Sequence, residues 1–341
     1  MVGTKVLLIY TGGTIGMIKD SETRALKPFD FEQIKKEVPE LNKFECEIDT
    51  FSFEHPLDSS NMKPDVWVRI AEIIEDKYTE YDGFVILHGS DTMAFTASAL
   101  SFMLHGLNKP VILTGSQLPI GTIRTDGKEN LITAIEIAAA KKANNPLVPE
   151  VAIYFEYNLY RGNRTTKVNS EDFEAFDSFN YPLLAEAGVK IKYNTSNILE
   201  VDAESKLNIF KVFDRNVASL KLFPGITKEF VSHFMKTPGL KAVVLETFGS
   251  GNALSEEWFL SLLKKAINKG VVIVNVTQCK RGSVDQAKYE TGSGLEAIGV
   301  ISGGDITFEA ATTKLMLLLG GKTSTEKIKT KFLSPFCGEI S

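Results

Sequence analysis

Three runs of hydroxyl and carboxylate residues follow short apolar stretches that are typical of strands. KVLLIY is followed by TGGT, GFVILHG by SDTM, and KPVILTG by SQLP. Because the carboxyl ends of neighbouring parallel strands meet at one crevice, we expect these runs to lie together. The side chains that would meet there are Thr11, Thr14, Ser90, Asp91, Thr92, Ser116 and Gln117. Such a set could supply a nucleophile, or its members could only cap helices.

A fourth polar run, PLDSSNM, places Asp58, Ser59 and Ser60 directly before a predicted helix. Its simplest interpretation is an N-cap, in which a side-chain oxygen accepts hydrogen bonds from free helix N–H groups. The same interpretation applies to Ser90 and Asp91. Polar residues at the ends of three successive strands nevertheless favour a functional site at this edge of the sheet.

The glycine run TGGTIG is not typical of a phosphate-binding loop. It lacks the GK[ST] ending of a P-loop and misses the GxGxxG spacing by one position. No acidic residue closes a clear strand about 20 residues later, as the dinucleotide-binding pattern requires. The sequence therefore disfavours nucleotide binding.

A lysine among hydroxyls, Lys167 in RGNRTTK, is a second chemical candidate. Such a lysine can act as a base or proton shuttle, and an adjacent carboxylate would hold it in place. On this stretch alone, a solvated surface loop is the simpler interpretation. No serine lies in a GxSxG elbow and the histidines are scattered. A hydrolase would therefore use a threonine or serine served by lysine, tyrosine or water.

Composition and charge exclude several other classes of protein. The chain has 341 residues, 43% of them hydrophobic, and a net charge of −5, which gives no reason to expect a nucleic-acid partner. Three widely spaced cysteines and four scattered histidines predict neither a disulfide framework nor a metal site. The apolar runs are too short for a signal peptide or a membrane span, so we expect a cytoplasmic protein.

Strand-like and helix-like patterns alternate along the chain, which predicts an α/β fold with parallel sheets. Continuous apolar strands indicate burial on both faces. We predict a larger N-terminal parallel-sheet domain over 1–190, with helices on both faces and the catalytic residues. A polar linker follows over 191–216, and a smaller C-terminal α/β domain covers 217–341.

The motifs TGGTIG, DSS-M, HG-DTM, TGSQ-P, RGNRTTK and GSGNA occur in an order that resembles the asparaginase/glutaminase family. They are most similar to its cytoplasmic, bacterial type I branch, over nearly the whole chain. The resemblance implies an amidohydrolase that converts L-asparagine and water to L-aspartate and ammonia, without metal or organic cofactor. It also implies Thr14 as the nucleophile, and a relay of Ser90, Asp91 and Lys167.

The resemblance also implies the groups that bind the substrate. Ser59 and Ser60, preceded by Asp58, would hold the α-carboxylate of asparagine, and Asp91 would hold its α-ammonium group. The carbonyl of Ser116 would lie near the leaving amide nitrogen. Asn252 of GSGNA would help a neighbouring subunit to complete its pocket, which implies a homodimer or homotetramer.

Two residues depart from the family pattern. Ser90 stands where the family usually has threonine, so the hydroxyl is kept but the methyl that restricts its rotamers is lost. The loop MIKDSETRALKPF lacks the tyrosine often found there, and Leu26 stands near its place. We therefore hypothesise that Tyr289, in QAKYETGSG, supplies the hydroxyl that assists Thr14. Packing against the domain surface is the alternative for this residue.

Three other functions remain compatible with parts of this pattern. A broader glutaminase-asparaginase would accept one extra methylene in the substrate, and a tRNA-dependent amidotransferase subunit would carry an additional N-terminal domain. A non-catalytic amino-acid-binding protein would keep the pocket but lose the nucleophile. The presence of Thr14, Asp91 and Lys167 argues against this last class.

Overall fold

The computed structural model describes residues 3–19, 26–28, 31–287, 290–321 and 323–341. The chain divides into two compact units, Met1–Phe210 and Lys211–Ser341. The segment that the sequence predicts as a linker, 191–216, belongs largely to the first unit. The physical reason is that two short strands within it pair with strands of that unit.

The strands of the first unit are β1 Lys5–Gly12, β2 Met17–Lys19, β3 Leu26–Pro28, β4 Glu47–Leu57, β5 Gly83–Leu87, β6 Leu104–His105, β7 Val111–Thr114, β8 Lys141–Lys142, β9 Asn145–Pro146, β10 Val151–Phe155, β11 Asn158–Arg161, β12 Thr166–Lys167, β13 Phe176–Asp177, β14 Ala185–Glu186, β15 Lys192–Tyr193 and β16 Asn208–Ile209. Its helices are α1 Phe31–Glu37, α2 Pro64–Lys77, α3 Met93–Met103 and α4 Gly127–Ala139. Single turns of 3-10 helix span Thr14–Gly16, Ser59–Asn61, Ser90–Thr92, Gly162–Arg164 and Thr195–Asn197, and a longer one spans Pro39–Lys43.

The main sheet of this unit has the strand order β15-β14-β11-β10-β7-β5-β1-β4. The five strands from β10 to β4 are parallel, and β11, β14 and β15 extend the sheet in antiparallel fashion. Along β1, Val6 and Leu8 cluster with the buried face of α4. The alternate residues Leu7 and Ile9 are also buried, and they point to the opposite face because side chains alternate along a strand. On that face α3 contacts β7 and β10. The prediction of a parallel sheet covered on both faces is thereby confirmed.

The second unit contains a four-stranded parallel sheet in the order β17-β18-β19-β20. The strands are β17 Val217–Lys221, β18 Ala242–Thr247, β19 Val272–Thr277 and β20 Ile301–Ser302. The helices are α5 Lys228–Phe234, α6 Glu257–Asn268, α7 Glu290–Ala297, α8 Phe308–Gly320 and α9 Thr325–Leu333. Its core joins β17, β18 and β19 to the apolar face of α6 through residues such as Phe259 and Leu263. The predicted smaller α/β unit is confirmed.

Candidate active site

The turn that presents Thr14 depends on two glycines at the end of β1. Gly12 and Gly13 have φ angles of 135° and 89°, a region that residues with a side chain rarely adopt. A Cβ on Gly13 would lie 2.5 Å from the backbone nitrogen of Gly89, and one on Gly12 would lie 2.1 Å from the carbonyl oxygen of Leu57. The backbone of the turn therefore packs directly on the ends of two neighbouring strands, and Thr14 stands half-buried beside them.

The carboxyl ends of β4, β5 and β7 also approach one another too closely to leave room for a side chain at the glycines between them. A Cβ on Gly89 would lie 2.6 Å from the Ser59 hydroxyl oxygen, and one on Gly115 would lie 2.3 Å from the carbonyl oxygen of His88. The Thr11 hydroxyl donates to the carbonyl of Leu87 over 2.9 Å, which ties β1 to β5 near their carboxyl ends. The structure thus brings the polar strand ends together, as the parallel order predicts.

Lys167, Ser90 and Asp91 form a contiguous hydrogen-bonded group. The Lys167 ammonium donates to the Ser90 hydroxyl oxygen over 2.8 Å and to the Asp91 carboxylate over 2.7 Å. The lysine side chain is 16% exposed, whereas the Asp91 side chain is 64% exposed. One face of the carboxylate therefore remains open to solvent, where a positively charged substrate group could approach it.

The segment that leads to Lys167 is buried, so the interpretation of RGNRTTK as a solvated surface loop is wrong. Residues 161–165 are all buried. The Arg161 guanidinium pairs with Glu150 over 2.7 Å and stacks on the Tyr181 ring at 4.2 Å. Both members of the ion pair are almost fully buried, so each charge is neutralised by the other. The Arg161 carbonyl accepts from the Thr165 hydroxyl over 2.7 Å, so the pair is linked to the turn that leads into β12 and Lys167.

Asp58 caps the single helical turn that carries Ser59 and Ser60. Its carboxylate accepts from the backbone N–H and the hydroxyl of Ser60 over 2.9 Å and 2.8 Å, and these hydrogen bonds lower the pKa of Asp58. The side-chain cap therefore belongs to this short turn and not to α2, which follows Lys63 without a side-chain cap. Ser59 is buried against Gly89, and its carbonyl accepts from the Thr92 hydroxyl over 2.7 Å. Ser60 is exposed, so the turn presents a hydroxyl to solvent beside the end of β5.

The loop after β7 is held by a buried carboxylate that sequence reasoning missed. Asp126 accepts from the backbone N–H groups of Gln117 and Leu118, at distances of 2.9 to 3.1 Å. Burial raises its pKa in spite of these hydrogen bonds. Ser116 is buried, and its hydroxyl donates to the Leu118 carbonyl over 2.6 Å. The DGKEN stretch that carries Asp126 shows only a helix start in the sequence.

Two further predicted site residues, Asn252 and Tyr289, belong to the part of the sequence after the first unit. Asn252 belongs to the second unit, where its backbone exchanges hydrogen bonds with Phe248 over 2.8 Å and 2.9 Å in a tight turn after β18. Tyr289 lies outside the described residues. The roles predicted for Asn252 and Tyr289 stay predictions.

Neither a metal cluster nor a membrane-spanning helix occurs in the part of the chain that the structure describes. No three His, Cys, Asp or Glu side chains there are grouped to hold a metal ion. None of the helices in the described ranges is both long and apolar enough to cross a membrane.

His88 supports the site through a chain of three hydrogen bonds. The Trp67 indole N–H donates to the Thr96 hydroxyl over 3.0 Å, and Thr96 lies 2.9 Å from Nε2 of His88. Nδ1 lies 2.7 Å from the carbonyl oxygen of Gly89. A carbonyl can only accept, so Nδ1 carries the proton and Nε2 accepts from Thr96. The neutral ring thus fixes the peptide directly before Ser90.

Acidification should destabilise the first unit through His88. Burial lowers the pKa of His88 to about 4, whereas an unfolded histidine titrates near 6.5. The unfolded state then binds a proton that the native state lacks, so the free energy of unfolding falls as pH drops from about 6.5 to about 4. The difference between the two pKa values corresponds to a loss of about 3 kcal/mol in the free energy of unfolding.

Urea unfolding at several pH values measures this effect in a Trp258→Phe background, where Trp67 is the remaining fluorophore of the two tryptophans. His88→Gln removes the titrating group, so its stability should depend less on pH in this window. If the free energy of unfolding fell equally with pH with and without His88→Gln, His88 would not be the group responsible for the acid destabilisation.

Comparison with known proteins defines the class to which this fold and site belong. The family model described as "Asparaginase, N-terminal" matches residues 5–199, and "Glutaminase/Asparaginase C-terminal domain" matches residues 216–332. The chain belongs to the asparaginase/glutaminase family.

Individual relatives cover nearly the whole chain. It is 42% identical to L-asparaginase 1 of Escherichia coli K12 over 338 residues, which cover 98% of both chains. It is 40% identical over 337 residues to the human 60 kDa lysophospholipase, of which the match covers 58%. The crystal structure of L-asparaginase I from Vibrio cholerae O1 biovar eltor is 40% identical, covers 100% of both chains and superposes with a TM-score of 0.91.

Proposed function

We propose that this protein is an L-asparaginase, an amidohydrolase that converts L-asparagine and water to L-aspartate and ammonia. The observation that carries the proposal is the contact of Lys167 with both Ser90 and Asp91, in a sheet edge that also presents Thr14. The family and the full-length similarity to L-asparaginases support it.

The nucleophile in this proposal is the Thr14 hydroxyl. Its oxygen attacks the side-chain amide carbon, the C–N bond breaks, and ammonia leaves with the proton that the hydroxyl gave up. A water then attacks the resulting ester, which releases aspartate and restores Thr14. A free hydroxyl is a weak nucleophile and needs a neighbouring proton acceptor.

Two groups would handle the protons. Lys167, held by Asp91, exchanges a proton with Ser90 while the threonine or the water attacks. Tyr289 remains our proposal for the hydroxyl that assists Thr14 directly, in place of the loop tyrosine that this chain lacks.

The substrate would be held by its two charged ends. Ser59 and Ser60 bind the α-carboxylate beside the capping Asp58, and the open face of Asp91 binds the α-ammonium group. The backbone carbonyl of Ser116 accepts from the amide nitrogen that will leave. Asn252 would complete the pocket of a neighbouring subunit, so we propose a homodimer or homotetramer, located in the cytoplasm.

Ammonia release from L-asparagine tests the proposal most directly. We expect turnover without added metal and in the presence of a chelator, because the proposed chemistry uses only side chains of the protein. L-glutamine, run in parallel over the same concentrations, is the matched substrate. One extra methylene is worth about 1–3 kcal/mol in a simple pocket, so a preference of about 10-fold or more for asparagine fits the proposal.

Three outcomes would change this view. Equal turnover of both amides would indicate a broader glutaminase-asparaginase. Loss of activity on chelation, restored by metal, would refute the mechanism. Tight binding of asparagine without ammonia release would indicate an amino-acid-binding protein.

A further inference from the structure

The side chain of Gln117 contacts Ser90, the hydroxyl of the proposed relay that Lys167 also contacts. Its Oε1 atom lies 3.3 Å from the Ser90 hydroxyl oxygen, while the Lys167 ammonium lies 2.8 Å from that same oxygen. An ammonium group can only donate, so Ser90 accepts from Lys167 and its single proton is free for Gln117.

The orientation of the Gln117 amide is determined by its second partner. The Nε2 atom lies 3.0 Å from the backbone carbonyl oxygen of Asp172. A flipped amide would set its oxygen against that carbonyl, with two acceptors in contact. The oxygen of Gln117 must therefore face Ser90, where it accepts the hydroxyl proton.

The backbone of Gln117 is held as firmly as its side chain. Asp126 accepts from its N–H, and Asn130 donates to Asp126 and to the Gly115 carbonyl. Asp126 and Asn130 are both almost fully buried. The Asn169 side chain in turn holds Asp172, since it accepts from the backbone N–H of Asp172 over 3.2 Å and donates to its carboxylate over 2.6 Å. Gln117 thus joins the loop after β7 to the loop after Lys167.

We propose that Gln117 is a positioning residue that fixes the Ser90 hydroxyl in the rotamer that faces Lys167. A serine has three accessible χ1 rotamers, whereas the methyl group of a threonine restricts them. Ser90 lacks that methyl, and the amide oxygen of Gln117 restricts the hydroxyl instead. This inference rests on the proposed function, because the relay matters only to a protein that performs the hydrolysis.

A double-mutant cycle tests the inference with four proteins: the parent, Gln117→Met, Ser90→Thr and the double variant. Methionine keeps the length of the side chain but offers no amide oxygen. We expect Gln117→Met to lower kcat about tenfold, the effect of one hydrogen bond, and to leave KM within about twofold. The kcat of Ser90→Thr is the reference value against which the double variant is compared.

The decisive measurement is the kcat of the double variant. If the methyl group introduced by Ser90→Thr replaces the restraint that Gln117 provides, Gln117→Met should cost less than about threefold in the Ser90→Thr background. Thermal unfolding of all four proteins shows whether they are equally folded, and Gln117→Ala repeats the cycle should the methionine variant not fold.

An unchanged kcat in Gln117→Met, or an equal loss in both backgrounds, would overturn the inference while leaving the proposed function intact. A parent protein that releases no ammonia from asparagine would overturn both.

Discussion

Thr14→Ala is expected to lower the turnover of L-asparagine by at least about 10³-fold, the scale seen when a catalytic nucleophile is removed. The residue is half-buried in a turn whose shape depends on Gly12 and Gly13 rather than on the threonine side chain. We therefore expect the thermal unfolding midpoint to remain close to that of the parent. Steady-state ammonia release, compared at equal concentrations of folded protein, measures the loss.

The chain offers a matched control at the end of the strand that leads into this turn. Thr11 is also a threonine, but it is buried and its hydroxyl donates to the Leu87 carbonyl. Thr11→Val removes that hydroxyl without changing the shape of the side chain, and it should lower stability by about 1 kcal/mol while turnover persists. If Thr14→Ala kept most of the activity, the nucleophile would have to be reassigned to Ser90.

Lys167→Met should lower kcat by about 10²- to 10⁴-fold, the range of a positioned acid–base group. KM should change much less, because a relay lysine acts on the reaction rather than on substrate affinity. Methionine retains an apolar stem of similar length in place of a side chain that is only 16% exposed. Initial rates over a range of asparagine concentrations separate the two constants.

Lys141→Met is the matched control for this substitution. Lys141 also forms an ion pair with an aspartate, Asp82, over 2.9 Å. Asp82 directly precedes β5, so this pair lies at the amino end of the strand and away from Ser90 and Asp91 at its carboxyl end. Turnover should be unchanged. A large rise in KM with an unchanged kcat in Lys167→Met would show instead that the lysine binds substrate.

Much of the fold is predictable from the sequence because its central strands are continuous apolar runs. GFVILHG and EVAIYFE are unambiguous, and the structure has β5 and β10 there with every residue buried. The edge strand β4, Glu47–Leu57, was missed, since its burial alternates irregularly and its sequence is polar. The short strands within 191–210 were missed too, because two-residue pairings leave no periodic pattern.

The site was less predictable than the fold. The order of the strand ends was enough to gather the hydroxyls, but nothing in RGNRTTK indicates its burial. That burial depends on Glu150, eleven residues before Arg161, and on Tyr181, which lies further along the chain. Contacts between residues that are distant in sequence have no local signature. Asp126 was therefore missed, and Gln117, although expected at the crevice, could not be recognised as a partner of Ser90.

The second unit also contains a buried residue whose partners are distant in sequence. Lys314 interrupts the apolar helix pattern TTKLMLLL, yet its side chain is fully buried. Its ammonium is neutralised by Glu339, 25 residues later, over 2.5 Å, and it also donates to the carbonyls of Phe332 and Ser334. A buried charge needs such partners, but the sequence does not show which of its many carboxylates supplies them.

The glycines at the strand ends set a limit on how this scaffold can be redesigned. At Gly12, Gly13, Gly89 and Gly115, the space that a side chain would need is already occupied by neighbouring atoms, mostly backbone. A library that randomised these positions to alter substrate choice would return mostly misfolded proteins. Variation that the scaffold tolerates lies at exposed side chains around the crevice, such as Ser60 and Leu118. New substrate specificities in this fold should therefore arise from exposed side chains around the crevice, while the glycines at the strand ends stay unchanged.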